Sequence, residues 1–445
     1  MFRHEPTPSA HFPGISLTPN TKSMPMAGNL PLLCALLSPA AFGAVEIPNP
    51  KDTLDLAVSG PQLLTGVPDD SFKIYLTDAE QFDSNVYRLE TGVDIAAIVG
   101  PGAAKSDRVN SPGGGLEGTW SFGRQSIVLE LAASDNRYSN NSDLDNVSSA
   151  DKVAWNWAIG DILGGQLGVN YLRGLAGFAN SQGYTRNVYE QANYFASLRY
   201  QVGPRWALYG GIEDTLLGFG QSASQGNNSG SKAFDLGFDF VTNVDDTIGL
   251  DYRYTDTHYS NEIALGGALI EPQFRDDRAR VTLRRAFSEK TSVDLSAGYT
   301  KRDYNNDLIG SFRGPIWSGA LGWQPTGKTQ VLFSTWRSLR AYLTNQTDYY
   351  RSTGASITPT WTATEKISFS LLVSREAQSY IGSSPSGLSL PGRKDTVNAE
   401  SLSMNYAPTS ALSFDLTYRH EQRDSTEPLK NYTDELATAG VRFQF

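Results

Sequence analysis

Strict alternation is the feature that most constrains this chain. From about Phe72 to the last residue, apolar and polar side chains trade places at every second position, in one segment after another. Phe234, Leu236, Phe238 and Phe240 are separated by Asp235, Gly237 and Asp239. Leu250, Tyr252 and Tyr254 are separated by Asp251 and Arg253, and Val293, Leu295, Ala297 and Tyr299 by Asp294, Ser296 and Gly298. Leu412, Phe414, Leu416 and Tyr418 repeat the pattern, and Trp206, Leu208 and Ile212 share one side of another segment. A period of two is a strand whose faces meet different surroundings. Each segment is about ten residues, the length that crosses a hydrocarbon core at the tilt of a barrel.

The hydropathy agrees. Only 39% of the 445 residues are hydrophobic, mean hydropathy is −0.35, and no run of eighteen apolar residues occurs, which excludes a helical membrane protein. A barrel shows lipid only alternate residues, so it needs no such run. The net charge of −10, without a basic tract, argues against a nucleic-acid partner.

Residues 28–37 form a short apolar core, followed by the small residues Ser38 to Ala44. Residues 1–44 therefore read as a leader with a signal peptide cut near 43/44, and 45–71 as a short periplasmic lead-in to a barrel over 72–445. Met1 to Ser23 is polar and odd for a signal peptide, which leaves two openings: a start at Met24 or Met26, or an unusually long leader. The one cysteine, Cys34, lies in the leader, so disulfide and redox cysteine chemistry is excluded from the mature chain.

Connections come in two alternating classes. Short turns occur at 122–124, 160–161, 202–205, 243–245, 288–290, 324–328, 364–366 and 407–409. Longer polar loops fall near 92–112, 138–150, 177–188, 217–231, 258–274, 304–311, 341–348, 380–395 and 424–431. Short periplasmic turns and long outer loops are what a transmembrane barrel requires. With a first strand around Lys73–Arg88, the expected fold is an all-β, antiparallel up-and-down barrel of about eighteen strands, with sixteen as the alternative. A soluble propeller would also alternate. Here, though, Trp120, Phe122, Trp157, Tyr200, Phe240, Phe287, Trp323, Trp361 and Tyr406 all sit at or beside short turns. Rings at one level of every hairpin make an interfacial girdle, which places the chain in the outer membrane.

Strand parity directs Arg199, Arg253, Arg278, Arg280, Arg284, Arg302 and Arg419 inward, opposite Glu130, Glu213, Asp235, Asp239, Asp251, Asp294 and Asp415. One reading is a wet lumen whose charges guide a hydrophilic solute. The other is cross-strand pairing that stiffens the wall. Arg278, Arg280 and Arg284 repel along one face and require facing carboxylates or an anionic ligand. No residue spacing specifies a metal site or a cofactor.

Phe445, Phe443, Val441, Ala439 and Ala437 form one apolar face of the last segment, with Arg442 and Gln444 on the other. This ending resembles the closing strand of bacterial outer-membrane barrels, which implies that Val441, Phe443 and Phe445 are read by the barrel-assembly machinery. His258 and Ser260 lie two apart and are similar to the His-x-Ser-Asn run of outer-membrane phospholipase, where such a pair is base and nucleophile. The rest of that pattern is absent, so no enzymatic role is expected and a phospholipase-like hydrolase using His258 and Ser260 stands as the least favoured alternative.

A wider resemblance is carried by Asp83-Ser84-Asn85-Val86-Tyr87-Arg88 on the expected first strand, Ser134-Asp135-Asn136-Arg137-Tyr138 and Trp155-Asn156-Trp157. Gly298-Tyr299-Thr300-Lys301-Arg302, Trp323-Gln324-Pro325-Thr326-Gly327-Lys328, Pro359-Thr360-Trp361, and Tyr418-Arg419 with Arg423-Asp424 complete it. In these the chain resembles the EpsL-type barrels of exosortase-associated exopolysaccharide loci. The resemblance implies a non-enzymatic role in biosynthesis or export of an extracellular polysaccharide, with its export apparatus as partner. A general or solute-selective porin is the alternative.

Overall fold

The structure, a computed structural model, describes residues 69–180, 183–220, 227–244, 246–265, 268–270, 273–305, 311–341, 349–381 and 392–445. The leader 1–44 and nearly all of the lead-in 45–71 lie outside these residues.

Eighteen antiparallel strands each pair with their neighbours in sequence. The first, Ser71–Asp83, pairs on one side with Gly113–Phe122 and on the other with the last, Tyr432–Gln444. The closing register runs from Tyr75↔Gln444 to Asp83↔Leu436. Closure leaves no free edge, so the backbone polar groups of the wall pair along the strands without water, the condition for crossing lipid.

The strands are longer than the alternation suggested, most of them 13 to 16 residues. The outward face explains the excess. Counted upward from the periplasmic turns, its first four or so positions, spread over about eight residues of strand, are apolar: Ile127 and Val153, Leu208 and Ile212, Phe234 and Leu236, Leu250 and Tyr252, Leu416 and Tyr418 are all exposed. At a rise near 3.3 Å per residue and a tilt near 40°, that band is about 20 Å tall. Above it the outward positions turn polar, with Asp151, Asp214, Asp256, Glu400 and Glu435. The upper part of each strand thus projects past the hydrocarbon, where a hydropathy pattern no longer marks it. At the foot of the band Trp120, Phe122, Tyr200, Phe287, Trp323 and Trp361 stand exposed as the girdle.

One expectation fails. The first strand ends at Asp83 and not at Arg88, so Asp83 to Arg88 leaves the wall. Val86, Tyr87 and Leu89 do not keep the alternation, and they bury together with Val109, Tyr138, Leu144, Leu175 and Phe178. The Asp83 carboxylate takes the Asn85 N–H at 2.8 Å, and Asn85 Nδ2 donates to the carbonyls of Leu89 (2.8 Å) and Thr433 (3.0 Å). The loop 84–112 is therefore a folded unit with its own small core. A strand at Asp107–Asn110 pairs back onto Glu80–Asp83.

Candidate functional site: the lumen and its mouth

The inward faces of the strands from Val188–Val202 to Thr291–Tyr304 form a charged wall. Arg199 Nη1 reaches past the intervening strand to Asp239 Oδ2 at 2.6 Å. Arg253 donates to Glu213 at 2.8 Å and Asp235 at 2.9 Å. Arg280 Nε lies 3.1 Å from both oxygens of Asp251, Arg302 forks onto Asp276 at 2.7 and 2.5 Å, and Arg284 meets Asp294 at 2.8 Å. Arg278 stands opposite Arg253, and its charge acts on Asp235. The repulsion along Arg278, Arg280 and Arg284 thus meets facing carboxylates in Asp235, Asp251 and Asp294.

The pairs of Arg199, Arg280 and Arg302 are turned toward each other more than toward the lumen, while Arg284 with Asp294 stays open to it. The Arg199 and Asp239 side chains keep 9% and 1% of their exposure. Glycine leaves room for the groups of the pair: a Cβ on Gly249 would sit 2.6 Å from Asp239 Oδ1, and one on Gly237 would sit 2.3 Å from the Tyr209 ring that lies beneath Arg199. Losing either partner of such a pair leaves a desolvated charge, at a cost of about 3–5 kcal/mol.

The facing wall is built differently. One hydrogen-bonding row of the sheet reads Thr360, Ser370, Ser403, Thr417 and Thr438 across five strands. Thr360 Oγ1 donates to Ser370 Oγ at 3.4 Å, and the Ser403 and Thr417 hydroxyls are 3.2 Å apart. Below the row, Asn405 Nδ2 donates to Asp415 at 2.8 Å. Short hydroxyls can donate and accept toward any polar solute.

The outer mouth is narrowed by loops. Phe178–Asn180, after the strand Leu163–Leu175, packs with Tyr87 of the loop 84–112. From there the Ala179 carbonyl takes a hydrogen bond from Arg423 Nη1 at 2.6 Å, beyond the closure seam. Arg393 and Arg423 share Asp395, at 2.5 and 3.8 Å. Loop 84–112 is tied down by Arg88, which lies 2.9 Å from Asp83 and 3.1 Å from Asp434. Burial disfavours the Arg88 charge, but these two carboxylates more than offset it and raise its pKa.

Among the remaining expected lumen residues, Glu130 faces Lys152 at 3.5 Å and Arg419 pairs with Glu421 on its own strand. The closing strand adds a stitch: Arg442 lies 2.7 Å from Glu117 and 3.6 Å above the Tyr75 ring. Phe443 and Phe445 meet edge to face at the periplasmic rim. Asp276, Lys152, Arg393 and the hydroxyl row were not singled out from the sequence. Asp276 had a signal, since it shares the parity of Arg278. Uncharged hydroxyls carry none.

His258 and Ser260 are not joined as base and nucleophile. His258 Nε2, the nitrogen a serine proton would need, lies 2.9 Å from Gln273 Nε2 and 3.9 Å from Asp256. Both residues border a surface hollow of about 500 Å³ with Tyr171, Glu190 and Leu216.

A closed wall, a lipid-facing band with its girdle and a polar interior define an outer-membrane β-barrel of porin type. The profile of the family described as "Putative beta-barrel porin 2" matches residues 275–445, which take in the last nine strands. Among solved structures the chain is similar to the outer membrane protein opdK from Pseudomonas aeruginosa, at 10% identity and a TM-score of 0.45, over 84% of this chain and 99% of that one. It is similar to Pseudomonas aeruginosa OccK2 in complex with glucuronate, at 8%, 0.47, 84% and 98%. A BenF-like porin from Pseudomonas fluorescens gives 9%, 0.48, 85% and 99%. At such identities the likeness does not extend to the solute. No curated protein sequence matches the chain.

Proposed function

We propose that this barrel is a diffusion channel for small, polar, uncharged solutes. The observation that carries the reading is the pairing of lumen charges: the arginines of the charged wall are held by carboxylates, while hydroxyls line the facing side. Barrels of this strand number leave an aqueous channel. Hydroxyl rows suit a saccharide, which agrees with the resemblance to exopolysaccharide-locus barrels. The contact of Arg423 with Ala179 across the mouth favours a small solute over a passing polymer chain. Insertion of the chain would be the work of the barrel-assembly machinery, with Val441, Phe443 and Phe445 as its signal.

The test is swelling of liposomes carrying the purified protein, in neutral sugars of rising size, beside a gene deletion. Swelling with monosaccharides, and surface polysaccharide unchanged in the deletion, is the expected result. Loss of surface polysaccharide with unaltered small-solute uptake would replace this reading with polymer export.

A further inference from the structure

The polar ring above the lipid band is lopsided. Outside four neighbouring strands its outward charges are more often acidic than basic, as at Asp151, Asp214, Asp256, Glu400 and Glu435. On the four strands from Phe312–Thr326 to Ile367–Ile381 the sign reverses, and the outward residues include Arg313, Arg337, Arg351 and Arg375. Register fixes their direction. Arg337 stands opposite Trp317 and Thr353, Arg351 opposite Leu339 and Ser379, and Arg375 opposite Ala355. These are the rows that continue upward from the lipid-facing Phe333, Ile357 and Val373.

The contrast with the lumen is sharp. Arg313 has only a distant carboxylate, Asp303 at 3.9 Å. Among the described residues, no ion pair involves Arg337, Arg351 or Arg375. Arg337 lies over the Trp317 ring at 5.1 Å, its Nε is buried without a hydrogen-bond partner, and the charge of Arg351 acts against it. In a chain with a net charge of −10, outward arginines on neighbouring strands that repel, as Arg337 and Arg351 do, need an anion from outside. The guanidinium fork matches phosphate oxygens in pairs. The height is where hydrocarbon gives way to headgroups, and an indole at that level is an interfacial anchor.

We propose that Arg337, Arg351 and Arg375, with Arg313 at the upper border, bind the phosphate of a phosphorylated glycolipid in the outer leaflet. A lipid is favoured over free phosphate because the cluster opens outward onto the bilayer, directly above Phe333 and Val373, and not into the lumen.

The experiment compares wild-type protein with the triple variant Arg337→Gln, Arg351→Gln, Arg375→Gln. Each is incubated in detergent with bisphosphorylated or dephosphorylated lipid A, and retained lipid is counted by native mass spectrometry. Heat-modifiable gel mobility establishes that both barrels are folded, and Arg173→Gln, elsewhere on the outer rim, serves as control. Wild type and control should retain the phosphorylated lipid roughly tenfold more than the triple variant. They should also prefer it over the dephosphorylated form. Equal retention by wild type and triple variant, or equal retention of both lipids, would overturn the proposal. So would displacement of the lipid by inorganic phosphate, which would mark a free-anion site.

Discussion

The two walls of the lumen solve the same problem in opposite ways. From Val188 to Tyr304 the inward positions carry full charges on long side chains, two of which, Arg199 and Arg253, reach across one strand to find a counterion. Between Tyr349 and Thr438 one row across the sheet, from Thr360 to Thr438, carries short hydroxyls bonded to the adjacent strand, with the charged pairs Arg393–Asp395 and Arg419–Glu421 set above it. The first wall is rigid because no member can be removed without exposing another. The second is tolerant because each hydroxyl contributes little and water can replace its partner. The comparison teaches that charge in a barrel need not be offered to the solute: here the charged side is the structural one, and the quiet side is left for polar contacts.

The largest effect that can break this contrast is on stability. Asp239→Ala should lower stability by about 3–5 kcal/mol, because Arg199 stays buried without its counterion. Thr360→Val on the facing wall should change it by no more than about 1 kcal/mol. The temperature at which compact gel mobility is lost reads both, and equal shifts would erase the difference between the walls. Next comes the assignment of inside and outside on which the contrast depends. Leu295→Arg should cost about 2–4 kcal/mol and depress outer-membrane yield. Ser296→Arg, whose side chain points into the lumen, should assemble better, and indistinguishable yields would mean that the parity is wrong.

A smaller effect sharpens the functional half. Ser403→Arg places an unpaired charge on the hydroxyl wall. It should move ion selectivity toward anions while altering stability by less than about 1 kcal/mol. Unchanged selectivity would show that this wall does not meet the permeating solute. The smallest structural effect is expected at Phe445, whose ring is mostly exposed at the periplasmic rim. Phe445→Ala forfeits less than the roughly 1.5–3 kcal/mol of a fully buried ring. Yield in the outer membrane should fall while heat-modifiable mobility persists; the reverse would remove Phe445 from the assembly signal.

The barrel was legible in the sequence because lipid imposes a strict period on its outer face. Leu250, Leu295 and Leu416 mark strands that the structure reproduces, and the short turns fall where expected except at 407–409, which closes the strand Lys394–Thr409 just before its turn. Legibility ended where lipid ended. Above the band both faces of a strand meet water, so Asp256 and Arg337 carry no hydropathy signal and the strands outran their expected length. The Asp83–Arg88 segment misled for a related reason: it continues an extended-looking run, yet its Val86 and Tyr87 bury in a loop core formed with residues far along the chain. The charged wall was half legible. Parity named Arg199 and Asp239 as inward, but their pairing skips a strand and needs the room that Gly249 leaves beside the Asp239 carboxylate, and neither follows from spacing. The mouth contact of Arg423 with Ala179 was beyond reach, since loop packing obeys no period.

Ion selectivity of single channels in planar bilayers tests the central claim most directly, because it asks whether lumen charges are spent on one another or face the solute. With a salt gradient across the membrane, the paired lumen predicts a reversal potential near zero for the wild-type protein. A reversal potential close to that of an ideal anion channel would mean that the arginines of the charged wall are available to solutes, and would contradict the account.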